Sequence, residues 1–102
     1  MAPLLTHRLV LPTGSGISCH DITAPLQALV EEAGLREGLL VAAGQHTTTA
    51  LVVNEAEERL LADIATFFAQ LVPADRPYLH NDLRLRPGIP ADEPRNAHSH
   101  LI

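Results

Sequence analysis

Four of the six histidines fall in polar clusters: His46-Thr47-Thr48-Thr49, His80-Asn81-Asp82 and Asn96-Ala97-His98-Ser99-His100. Neutral imidazole is the commonest metal ligand near neutral pH, and two or three imidazoles with a carboxylate suit zinc or a similar divalent ion. The single cysteine, Cys19, gives neither an internal disulfide nor a Cys-based zinc cage, so any metal rests on His and carboxylates. Spacing alone leaves a second reading open, in which each histidine is a surface or capping residue. No two of them stand at the i, i+4 spacing of a helical His pair. His98 and His100 are two residues apart, which is about 200° of rotation on a helix but one shared face on a strand. A helical end would therefore let only one of them be a ligand. His7 and His20 lie in strand-like runs with no polar cluster around them, and a structural role suits both better.

Other groups carry weaker signals. Thr47, Thr48 and Thr49 offer hydroxyls and N–H groups to a phosphate, although Thr is equally a good strand residue, and the strand reading suits at least two of the three. Asn54 is well explained as a helix cap, and Glu55 only partly. Arg84 and Arg86 follow Asp82 closely enough to reach a phosphate, against a plainer reading as solvated loop charges. The chain has no P-loop, no G-x-G-x-x-G and no G-x-S-x-G. Cys19 beside His20 makes a poor nucleophile and base, since adjacent strand residues face opposite ways.

These residues need elements to position them. Thr6 to Leu11 and Ile17 to Ile22 read as two strands joined by a turn containing Pro12, Gly14 and Gly16. A helix of about ten residues follows, with Thr23 as N-cap, Pro25 in its first turn, Leu26, Leu29 and Val30 on one face, and Gly34 as its stop. The apolar run Gly38 to Ala43 reads as a strand covered on both faces, and the β-branched stretch Gln45 to Val53 as a second central strand with His46 at its start. Asn54 with Glu57 resembles a capping box. The helix behind it carries Leu60, Leu61, Ile64, Phe67, Phe68 and Leu71 on one stripe and ends at Pro73. The stretch from Ala74 to Arg95 is rich in proline and charge and reads as loop, with a short strand near Tyr78 to Leu85 as an option. Asn96 is placed to cap a last helix.

Composition narrows the function classes. At 102 residues the chain has room for one domain, and 46% apolar against 19% charged residues is an ordinary globular balance. With 3% aromatics and no Trp, the core has to come from Leu, Val, Ile and Ala. A net charge of −5 with only seven scattered Lys and Arg argues against nucleic acid or an anionic membrane as main partner. No basic N-terminal stretch leads into a long apolar segment, and no apolar run approaches the roughly 18 residues of a membrane span. A soluble, cytoplasmic protein is expected.

In wording and order, Gln45-His46-Thr47-Thr48-Thr49-Ala50-Leu51, Asn54-Glu55, Leu71-Val72-Pro73 and Tyr78-x-His80-Asn81-Asp82 resemble the YjbQ family over nearly the whole chain. Pro90-x-Asp92-Glu93-Pro94-x-Asn96-x-His98-x-His100-Leu101 looks like one branch of it, where a long loop leads to the motif His. The resemblance implies an α+β fold, with a β-sandwich-like antiparallel or mixed sheet core and two main helices, as a single domain over residues 1–102. It also implies a homotrimer, a histidine-lined metal site and a secondary thiamine-phosphate synthase activity. On this sequence the metal histidines become His46, His80 and His100, zinc being the favoured ion, with Asp82, Asn54 and Glu55 as polar neighbours. His98 fits only the branch pattern. In the enzymatic reading the metal acts on phosphate oxygens, Asp82 or Glu55 orients a ligand or moves a proton, and Thr47, Thr48 and Asn54 receive a small phosphorylated molecule. The alternatives are a non-catalytic metal- or phospholigand-binding oligomer, and a metal-free assembly subunit. Family members continue past the His100 position through apolar strands and a Gly-Thr-Trp-Gln-like segment. A chain without Trp is expected to be cut short of that C-terminus.

Overall fold

The computed structural model describes residues 4–102, and helix is their only regular secondary structure. Three α-helices, α1 (Thr23–Glu32), α2 (Glu58–Leu71) and α3 (Ala97–Leu101), are joined by irregular chain with 3₁₀ turns at Leu79–Asn81 and Leu83–Leu85. The chain divides into two compact units, one running up to Ala42 and the other Ala43–Ile102.

In the first unit α1 begins where expected, but Thr23 is its first helical residue and not its cap. Ile22 occupies the cap position without a side-chain bond. Asp21 does the capping from one residue further out, its Oδ1 accepting from the Thr23 N–H at 2.9 Å and from the Thr23 hydroxyl at 2.6 Å. The other end closes at Gly34, whose φ of +67° is the left-handed geometry a glycine adopts without cost. There Gly34 N–H donates to Glu31 O and Leu35 N–H to Val30 O, the paired bonds of a Schellman stop. Leu26, Leu29 and Val30 form its half-buried face.

In the second unit α2 carries the expected stripe, with Leu60, Leu61, Ile64 and Phe68 half-buried and Phe67 and Leu71 exposed. Its start differs from the Asn54 capping box. Glu57 is the cap, and its carboxylate accepts from Arg59 N–H at 3.0 Å and Leu60 N–H at 2.6 Å. The Asn54 Oδ1 accepts from its neighbour Glu55 N–H at 2.7 Å instead, leaving Asn54 to line a shallow apolar groove with Val52, Ile64 and Phe67. A longer acidic side chain at position 57 reaches two orphan N–H groups that Asn54 is too far back along the chain to meet. The helix ends before Pro73 as expected, and Tyr78 Oη donates to Pro73 O at 2.7 Å to fold the following loop back. Val72 and Ala97 are the buried apolar side chains, at 7% and 4% exposure.

The expected α+β architecture with a β-sandwich-like sheet is overturned: the described residues contain no strand. The two main helices are present, but the runs 6–11, 17–22, 38–43 and 45–53 are irregular, and 79–85 forms the two 3₁₀ turns. β-Propensity describes fitness for a pleated surface that already has neighbours, and each strand needs a partner for its N–H and C=O groups. No second run comes into register here, so Leu39 and Val52 stay 83% and 80% exposed. No helix among the described residues is long and apolar enough to cross a membrane.

Candidate metal and ligand site

The 3₁₀ turn Leu79–Asn81 and helix α3 pack together, and two carboxamides tie them. His80 Nε2 lies 3.1 Å from Asn96 Oδ1, and the Ala97 N–H donates to Asn81 Oδ1 at 3.1 Å. Asn81 thus satisfies an orphan donor of α3 from across the loop, while the expected cap, Asn96, makes no side-chain capping bond. The junction brings the His80 and His100 rings edge to face, centroids 5.1 Å apart at 76°. Because the end of the chain is helical, His98 does not join them. Its Nε2 meets Ser99 Oγ at 3.5 Å and its Nδ1 is buried without a partner.

The loop between these elements is tied at its base. Arg86 donates through Nη1 to His80 O at 3.1 Å and through Nη2 to Glu93 Oε1 at 3.2 Å, with both charged side chains about three-quarters covered, at 26% and 22% exposure. Arg84 grips Asp82 with two bonds, 3.1 and 3.2 Å. The hydrogen bond from Arg84 is the main cause that holds the Asp82 carboxyl below its ordinary range, and the Arg84 guanidinium is raised in return. The Arg84 guanidinium thus favours the ionised form of Asp82. Both arginines are engaged with protein groups.

His46 sits in its own turn. Its Nδ1 accepts from Thr48 N–H at 3.1 Å and meets Thr48 Oγ1 at 2.7 Å, while Thr49 Oγ1 donates to His46 O at 2.9 Å. Two of the three threonines are thus turned to local backbone or ring atoms. Thr47 and Glu55 are exposed. No group of three or more His, Cys, Asp or Glu that could hold a metal forms among the described residues. The structure gathers His80, His100, Asn81 and Asn96 at one junction. It does not add His46 or a carboxylate to them as a metal cluster. Two imidazoles fall short of the three protein ligands of an open zinc site and of the four of a closed one, so the described residues do not assemble a complete metal-binding set.

A family model described as UPF0047 protein YjbQ-like matches residues 7–102. The chain belongs to this family. UPF0047 relatives include a protein of Methanothermobacter thermautotrophicus, 35% identical over 96 residues, 94% of this chain and 60% of the relative. One from Archaeoglobus fulgidus is 43% identical over 75 residues, 74% of this chain and 57% of the relative. One from Synechocystis sp. is 41% identical over 75 residues, 72% of this chain and 50% of the relative. The chain thus spans about half to three-fifths of the length of these relatives. No solved structure matches it.

Within this UPF0047 chain, three residues at the junction had only local readings in the sequence. Asn96 reads as a cap, Arg86 as a solvated charge and Asn81 as part of a polar cluster, yet each bonds across the loop. The available signal was a carboxamide beside each candidate histidine-bearing element, a type able to hold a ring nitrogen or an orphan N–H.

Proposed function

We propose that this UPF0047 protein binds one divalent cation, zinc favoured, at His80 and His100, and uses it to hold a small phosphorylated molecule. The observation that carries this reading is the 5.1 Å approach of two imidazole rings from separate elements. Asn96 supports it, since metal-ligating histidines usually bond an oxygen through the other ring nitrogen. A bound cation would neutralise phosphate oxygens as a Lewis acid. The chain's own residues hold and orient: Asn81 and Arg86 fix the turn that carries His80, and Asp82 stays ionised beside Arg84. His46 as a further ligand, Thr47, Thr48 and Asn54 as phosphate-side contacts and Glu55 as a second carboxylate complete the proposed set.

The enzymatic form of this reading is a weak, metal-dependent thiamine-phosphate synthase in a cytoplasmic homotrimer. Exposed apolar residues such as Leu39, Val52 and Phe67 support association. The deciding experiment measures zinc per chain on tag-free protein, then product formation from the pyrimidine diphosphate and thiazole phosphate with and without chelator, against His80→Ala. About one ion per chain with chelator-sensitive product supports the enzyme. One ion with equal trace rates in both proteins leaves the binding role alone, and far less than one ion removes the reading. A trimer mass by light scattering is expected, and a monomer mass at micromolar concentration removes that part.

A further inference from the structure

We infer that the loop 13–18 is an oxyanion site, in which the backbone N–H groups of Gly14, Ser15, Gly16 and Ile17 take the oxygens of a phosphate. The loop belongs to the first compact unit and needs no cation, so this inference stands apart from the roles proposed for His80 and His100. In the sequence Gly14 and Gly16 read as the turn of a hairpin, but the runs 6–11 and 17–22 on either side form no strands. Both glycines are nonetheless left-handed, at φ +68° and +78°, with Ser15 at negative φ between them. Where the backbone changes hand from residue to residue, successive N–H groups turn into one concavity, the nest that holds anions in many phosphate sites. A paired hairpin would consume some of these donors. Here none of the four donates a hydrogen bond within the described residues. A Cβ built at Gly14 or Gly16 meets nothing within 4 Å, so the glycines serve their φ and the concavity stays open. The loop is also closed at its mouth. The Ser18 hydroxyl donates to Thr13 O at 3.2 Å, and His20 Nε2 meets the same Oγ at 2.9 Å. With its one hydrogen given to Thr13, Ser18 accepts from the ring, and His20 ties the exit of the loop. Such closure orders the N–H groups before an anion arrives and lowers the entropy cost of binding it. The nearest carboxylate in sequence, Asp21, is occupied by the Thr23 N–H and hydroxyl at 2.9 and 2.6 Å. An N–H bond to a charged oxygen is about twice as strong as one to a neutral acceptor, which favours phosphate over the water it displaces.

The test is amide NMR of the whole chain during titration with inorganic phosphate, at an ionic strength held constant with chloride. The amides of Gly14, Ser15, Gly16 and Ile17 should shift together and saturate in the millimolar range, while chloride alone leaves them in place. Equal shifts with both anions, or amides that do not move, overturn the inference. Shifts confined to Thr47 and Thr48 place the phosphate at the other proposed ligand contacts and overturn it as well. Gly16→Ala forces a Cβ into the left-handed region and should weaken phosphate binding about tenfold. Replacing Gly16 by D-alanine, in a synthetic segment 1–18 ligated at the exposed Cys19, keeps that φ and should bind as the wild type does. Neither Cβ has a neighbour within 4 Å, so a difference between the two forms reports backbone hand alone. If the L and D forms hold phosphate equally, the nest is not the site.

Discussion

The His100 ring stands edge-on to the His80 ring at 5.1 Å, although one belongs to a 3₁₀ turn and the other to the last helix. Two asparagine bridges span the same junction, so the pair is a product of tertiary contact between the turn and the helix.

The proposed cation role makes a test of that pair. If the protein holds zinc as proposed, His80→Ala and His100→Ala should each lose most of it, while His7→Ala should keep it. Elemental analysis after purification without chelator reads the result, and equal loss from His7→Ala would mean the site is elsewhere.

Helix α2 should depend on Glu57 and not on Asn54. Glu57→Ala leaves the N–H groups of Arg59 and Leu60 without their acceptor and should cost about 1 kcal/mol, while Asn54→Ala should stay within about 0.5 kcal/mol. Urea titration followed by helical circular dichroism measures both, and the reverse order would restore Asn54 as the cap.

Acid should weaken the chain through Asp21 and Asp82. Thr23, by side chain and then backbone, holds Asp21 below its ordinary range, as Arg84 does Asp82. A depressed folded value means the stabilisation is complete above the unfolded carboxylate range near about 4 and disappears as pH falls through the lower folded values. Asp21→Asn should flatten the acid limb of the helical signal, and an unchanged limb would count against its capping role.

The two loop arginines should behave differently. Arg84 is 89% exposed, and its surface pair with Asp82 should be worth little, so Arg84→Ala should be nearly silent. Arg86→Ala removes both a bond to the His80 carbonyl and the partly covered Glu93 pair, and it should speed amide exchange around Leu79–Asn81. Arg86→Lys should not rescue it, because one ammonium does not reproduce the planar two-pronged geometry. Equal exchange in both alanine variants would refute this division.

Local chemistry was legible from residue order. The helix over Thr23–Glu32 stops at Gly34 because only a glycine turns left-handed there freely, and the stripe Leu60, Leu61, Ile64 and Phe68 with Pro73 behind it fixes α2. That a helical end would point His98 and His100 to different sides was also readable from rotation per residue, and of the two it is His100 whose ring meets His80. The caps were misplaced by one to three residues, because several polar side chains near a helix start compete for the same orphan N–H groups and reach decides among them. Sheet formation was not legible. Val52, Val53 and their neighbours have the residue types of a strand, but a strand exists only where another backbone offers partners, and none does among the described residues. What tertiary structure alone decided is the exchange at the loop base, with Asn96 serving His80 and Asn81 serving Ala97. Each side chain has a satisfactory local use in the sequence, and only the folding of residues 79–81 against α3 makes the long-range partner the nearer one.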